Sequence, residues 1–193
     1  MSDQLARLGE LLDRQDIFDS IKRVSRAIDR FDRELFLSAY HPDAVIDAGA
    51  LVAGPAEVYD SGAALHDEGQ SATIHHLTNH VCEIAGDEAH AETYFLYVGR
   101  NRDGTNWAAG GRYNDRLERR EDAWKIAFRL TIIEWSGMIP ETDVPLFRDV
   151  ADLHLNGEPS RSRQDPSYRR PLVNHRALRV PPDPRALSRP GER

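Results

Sequence analysis

Residues Ser71–His80 read SATIHHLTNH. Three histidines, an asparagine and two threonines fall within a stretch that otherwise has strand composition. Strand alternation puts Thr73, His75, Leu77 and Asn79 on one face and Ile74, His76, Thr78 and His80 on the other. A buried strand face carries an imidazole and an amide only where both find partners, and a cavity wall is such a place. Histidine moves protons near neutral pH better than any other side chain. His75 is therefore the candidate proton acceptor.

This stretch opens a series of four strand-like segments, predicted at Ala72–Ile84, Glu88–Arg100, Trp107–Arg119 and Trp124–Trp135. The links between them are short: Ala85-Gly86-Asp87, a turn at Asp103-Gly104, and Arg120–Ala123. Short links imply antiparallel pairing, and strands of this length twist and curl. Gly110-Gly111 inside the third segment suits a bulge or sharp bend, and no helix follows it as a phosphate loop would require.

Upstream the periodicity is helical. Leu8, Leu11 and Leu12 begin an apolar stripe that Ile17, Ile21, Val24 and Ile28 continue, so one long helix should run to about Asp29–Phe31. Asp32 can cap a second helix, Arg33–Tyr40, which His41-Pro42-Asp43 breaks. Ala44–Asp47 reads as a short strand. Gly54-Pro55 introduces a third helix, Ala56–Glu68. Helices gathered on one side of a curved antiparallel sheet make an α+β fold: a cone-shaped sheet packed on a long N-terminal helix plus two shorter helices. The space between the layers is a natural pocket, with Phe36, Tyr40, Asn79, Tyr113 and Trp135 as candidate walls. Residues 1–140 would form this domain and 141–160 an extension, with a short helix at Val144–Leu155.

The totals restrict function. The 193 residues suffice for one domain with a core, and 40% apolar with 30% charged residues is ordinary for a globular protein. The single cysteine, Cys82, rules out an internal disulfide and a cysteine-based zinc site, and suits a small buried hydrophobe. The net charge of −7 is uneven: nine arginines face three acids over 161–193, leaving 16 basic against 29 acidic groups in 1–160. An acidic body makes nucleic acid an unexpected partner. With six prolines and no apolar period, 161–193 reads as a basic, disordered tail. No apolar run has membrane-spanning length, and the acidic, amphipathic start is unlike a signal peptide, so a cytoplasmic location is expected. His76 and His80 have no carboxylate at ligand spacing, so no metal site is expected.

Several phrases resemble the SnoaL-like branch of the nuclear transport factor 2-like superfamily. They are Asp13–Asp32 (DRQDIFDSIKRVSRAIDRFD), Leu37–Asp47 (LSAYHPDAVID), Thr73–Asn79 (TIHHLTN) and Gly110–Trp124 (GGRYNDRLERREDAW), in that order. The resemblance spans roughly residues 5–140. It implies the cone-shaped fold, but that superfamily holds lyases, isomerases, cyclases and non-catalytic proteins. Its lindane dehydrochlorinase and scytalone dehydratase members use a histidine on this strand as base and an aspartate at the end of the first helix to hold it. Those positions are His75 and Asp29 here. A basic residue on the last strand of the dehydrochlorinase corresponds to Arg129. The dehydrochlorinase's first-helix lysine falls near Val24 and is missing, and the second histidine of scytalone dehydratase has no clear counterpart. The resemblance thus implies a cofactor-independent lyase, or an isomerase with the same first step, acting on a small, largely apolar cyclic compound as a homodimer or homotrimer. The residues alone leave other readings open. His75 could be a satisfied core histidine, Asp29 a solvent-facing helix end, and Arg129 a surface partner of a glutamate. A ligand-binding or accessory protein without turnover fits the same pattern.

Overall fold

The computed structural model describes residues 2–140 and 150–178. The long helix α1 spans Ser2–Arg30, and the short α2 spans Arg33–Ser38. Asp32 caps α2, its carboxylate accepting from the Leu35 N–H. Strand β1 follows at Tyr40–Asp47, then β2 at Val52–Ala53 and helix α3 at Pro55–Gly69, with proline in its first turn. The long strands β3, β4, β5 and β6 occupy Gln70–Ala85, Glu88–Asn101, Asn106–Arg120 and Ala123–Ile139. They form one curved, open, six-stranded sheet in the order β2-β1-β6-β5-β4-β3.

The four long strands pair antiparallel in sequence order, while β1 lies parallel to β6. That parallel edge, and a strand starting at Tyr40 rather than Ala44, differ from expectation. Pro42 explains the start, because proline forces His41 into extended backbone and the helix ends at Ser38. Proline also cannot donate to a ladder, and the β1–β6 register shifts between Tyr40 and Val45.

The core lies between α1 and the concave face of the sheet. Ile17, Ile21, Val24 and Ala27 of α1 meet Leu117, Trp124 and Ile126 of β5 and β6. Ser20 locks the layers by donating from Oγ to the Trp124 carbonyl at 2.8 Å. The first half of the expected stripe does not join them: Leu8, Leu11 and Leu12 are exposed.

Bulges decide which side chains face the core, among them one in β3 and one in β6 near the site. In β3, Leu77 pairs with Phe95 and His80 with Thr93, so β3 carries one extra residue between them. In β6, Gly111 pairs with Ile133 and Gly110 with Trp135, leaving Glu134 as the extra residue. A side chain on Gly111 would meet the Ile132 carbonyl oxygen at 1.9 Å, so only glycine permits this close approach.

The C-terminal segment departs most from expectation. Residues 161–178, read as disordered tail, are laid against the helices. Tyr168 donates its hydroxyl to Asp32 at 2.9 Å, Arg163 pairs with Asp32 and Glu34, and Arg26 stacks on the Tyr168 ring at 4.7 Å. Asp165 caps a short 3-10 turn, Pro166–Tyr168. Composition misled here because Arg163 finds Asp32 and Glu34, and Arg161 finds the backbone carbonyls of His66 and Gln70, instead of water. Of the helix expected at Val144–Leu155, residues 144–149 lie outside the described residues, and 151–156 form turns.

Candidate active site

Asp29 ends the buried face of α1, and His75 lies on the part of β3 that crosses it. One Asp29 oxygen, Oδ1, lies 2.7 Å from the His75 Nδ1, and the other, Oδ2, accepts from the His75 backbone N–H at 2.9 Å. Both side chains are only 12% exposed. A carboxylate can only accept, so Nδ1 carries a proton, and in the neutral ring Nε2 then holds a lone pair. This is the protonation pattern of a general base.

His75 lines a cavity of about 270 Å³ between the helices and the sheet. The walls are largely apolar, with Phe36, Tyr40, Phe95, Trp107 and Tyr113 among them. A larger groove of about 580 Å³, near Val81, His90 and Phe128, lies on the outer face and does not touch the dyad.

Arg129 also lines the cavity, but not as a surface residue. It is 2% exposed, and its Nε and Nη2 each donate to Asp115 at 2.7 Å across the β5–β6 ladder. Tyr113 covers the guanidinium at 4.2 Å. Burial opposes the charge, but Asp115 and the neighbouring tyrosines outweigh it and raise the Arg129 pKa. The group is a fixed cation facing an apolar space. Burial pushes the Tyr113 phenol up to about 12, so it remains protonated.

Of the residues expected at the pocket, Phe36, Tyr40 and Tyr113 line this cavity, whereas Asn79 and Trp135 do not. Asn79 sits in the β3 bulge, exposed, and does not line the cavity. The same bulge turns His80 inward, against the expected alternation. It bonds Thr93 through Nδ1 at 2.8 Å and stacks on Phe18 at 4.4 Å. The β6 bulge turns Trp135 out, where its ring rests against Gly110 and is 51% exposed. Thr131 and Ile133 line the cavity in its place.

Sequence reasoning missed His66, Gln70 and Tyr97. His66 Nδ1 lies 2.6 Å from the Gln70 Oε1, which also accepts from the Tyr97 hydroxyl at 2.8 Å. The His66 and His75 rings are 6.4 Å apart, centre to centre, with Tyr97 packed edge-on against His75 at 4.8 Å. Burial, the largest influence, holds the His66 pKa below its ordinary 6.5 and pushes the Tyr97 phenol up to about 12. A signal was available: Val58, Gly62 and His66 fall at i, i+4 and i+8 on one face of α3, and all three line the cavity. Arg161, also missed, donates through Nη1 to the carbonyls of His66 and Gln70 at 3.0 and 2.6 Å. Its guanidinium stacks on Phe31 at 3.9 Å.

Residues 9–130 match the SnoaL-like domain. The chain belongs to that family. No curated protein sequence matches it. Among solved structures, it is similar to the hexachlorocyclohexane dehydrochlorinase LinA-type3 from Novosphingobium barchaimii. The TM-score is 0.65 at 19% identity, covering 72% of this chain and 97% of that one. A candidate scytalone dehydratase from Novosphingobium aromaticivorans gives 0.61 at 17%, covering 74% and 94%. A candidate aromatic ring hydroxylase from the same organism gives 0.60 at 25%, covering 67% and 94%. At these identities the likeness is one of fold. Among the described residues, no helix is long and apolar enough to cross a membrane, and no group of three or more His, Cys, Asp or Glu is placed to hold a metal ion.

Proposed function

We propose that this SnoaL-like chain is a lyase that eliminates water or halide from a small, largely apolar cyclic compound, with no cofactor taking part. The observation that carries the reading is the buried Asp29–His75 pair, which leaves a basic nitrogen on a ring lining an apolar cavity. In the reaction, His75 Nε2 takes a proton from carbon. The electrons of that C–H bond form the new C=C bond. The leaving group departs from the adjacent carbon with its bonding pair, a halide as the anion and a hydroxyl as water after taking the proton back from the His75 imidazolium. Asp29 stabilises the imidazolium that forms, and Arg129 offsets the negative charge on the leaving group.

The apolar walls strengthen both electrostatic effects by excluding water. An isomerase would share the first step and return the proton elsewhere. The chain would act as a homodimer or homotrimer, a second copy covering apolar surface such as Trp135 and Met138, which are 51% and 62% exposed.

The test is a panel of halogenated and hydroxylated cyclohexanes and cyclohexanones, hexachlorocyclohexane included, incubated with wild type and His75→Ala. Elimination products from wild type alone are expected. Equal product from both proteins, or compounds bound tightly by wild type and recovered unchanged, would overturn the lyase reading. The latter outcome would favour a binding protein.

A further inference from the structure

His66 lies outside the dyad and has no part in the elimination step, yet it is built into the same cavity. Its Nδ1 is 2.6 Å from an oxygen that can only accept, Gln70 Oε1, so Nδ1 bears the proton. The Tyr97 hydroxyl spends its own proton on the same oxygen. Nε2 then carries a lone pair, and it has no hydrogen-bond partner among the described residues. The ring lines the cavity, with the His75 ring 6.4 Å away. His66 and Tyr97 therefore offer lone pairs and no protons. A ligand answering them must donate a hydrogen bond. An ammonium donor is disfavoured, because the Arg129 guanidinium faces the same space and repels it, which leaves a hydroxyl.

We infer that His66 is a specificity-determining residue that accepts a hydrogen bond from a ring hydroxyl, so the site selects hydroxylated cyclic compounds. The inference rests on the cavity being the ligand site, as in the proposed lyase reading, but not on turnover. Burial keeps His66 neutral near pH 7, consistent with an acceptor and not with an acid that protonates a leaving group. Arg161 supports the arrangement from behind by tying down the carbonyls of His66 and Gln70. A site that hydrogen-bonds a substrate hydroxyl disfavours the analogue lacking it, since the buried acceptor then goes unpaired.

Equilibrium binding of 2-naphthol and 2-methoxynaphthalene to the full chain tests this. Wild type should prefer the naphthol about tenfold, and His66→Leu should bind both alike. A general packing defect would weaken both probes together and leave their ratio unchanged. Should His66→Leu not fold, side-chain 15N NMR of wild type gives the answer. The His66 Nε2 resonance should be that of an unprotonated nitrogen and should move with naphthol but not with the methyl ether. Equal affinities in wild type, a preference that survives in His66→Leu, or a proton on Nε2 would overturn the inference. Retained naphthol preference without any elimination activity would overturn the lyase reading alone.

Discussion

One carboxylate holds His75 at two points: Asp29 Oδ1 meets the ring Nδ1 at 2.7 Å, and Oδ2 takes the backbone N–H of the same residue at 2.9 Å. Ring orientation and strand position are thereby coupled to the end of α1. Asp29→Asn breaks this symmetry. Its amide has one acceptor oxygen for two donors, so either the backbone N–H loses its partner or the ring must accept at Nδ1. The second outcome moves the proton to Nε2 and removes the base. Turnover of a compound found in the elimination screen should fall about 10²–10⁴-fold in Asp29→Asn. Near-wild-type kcat would contradict the role assigned to Asp29.

The Arg129–Asp115 pair sets a different balance. Both side chains are almost fully buried and bonded twice. Removing one partner strands the other charge away from water. Asp115→Asn should lower stability by about 3–5 kcal/mol, whereas the double replacement Asp115→Leu with Arg129→Met should be far milder. Urea unfolding of the three proteins checks this. The double variant should remain folded and lose elimination activity. A single replacement as stable as wild type would contradict the account.

Acid should weaken the fold through its histidines before its carboxylates. His41, His66 and His80 are each held below the ordinary 6.5, with burial the main cause in all three. Their neutral forms are favoured in the folded state. The stability they contribute is thus complete above about 6.5 and lost as pH falls through their lowered folded values. Urea unfolding at about pH 7.5 and about pH 5.5 should show lower stability at the acid value. His80→Gln should reduce that difference, though not abolish it. Equal stability of wild type at both values would refute it.

The C-terminal segment should behave as a docked strap. Asp165 is held at about 2: burial opposes its ionisation, but the donors of Ser160 and Ser167 and the nearby Arg30 outweigh it. Its contribution is therefore present above the ordinary carboxylate value of 3.8 and lost only as pH falls towards about 2. The strap stays in place while the histidines titrate. Arg161→Ala and Tyr168→Phe should each lower the melting temperature, and of the two Arg161→Ala should also weaken 2-naphthol binding, because Arg161 bonds the His66 carbonyl whereas Tyr168 bonds Asp32. Unchanged melting temperatures in both variants would show that the strap contributes nothing.

Alternation and helical spacing made the architecture legible, down to the long antiparallel strands and the second half of the α1 face, Ile17, Ile21 and Val24. The placement of His75 opposite Asp29 came from resemblance: nothing in Asp29 itself distinguishes a helix end facing water from one facing a strand. The errors at Asn79, His80 and Trp135 share one cause. Alternation inverts beyond a bulge, and the β3 bulge has no glycine to mark it. The β6 bulge was foreshadowed by Gly110-Gly111 on the neighbouring strand, but not the side chains it would turn. His66 was hidden because its role depends on Gln70 and Tyr97, and Tyr97 comes from a strand that approaches only after folding. The strap was hidden because an arginine-rich, proline-rich composition is equally compatible with solvation and with docking on acidic helices.

The central claim is that His75 presents a bare Nε2 to the cavity because Asp29 holds the proton on Nδ1. Side-chain 15N NMR of wild type and Asp29→Asn at neutral pH tests it most directly. The neutral ring should carry its proton on Nδ1 in wild type and shift towards the Nε2–H form in the variant. An Nε2–H ring in wild type, or the same tautomer in both proteins, would contradict it.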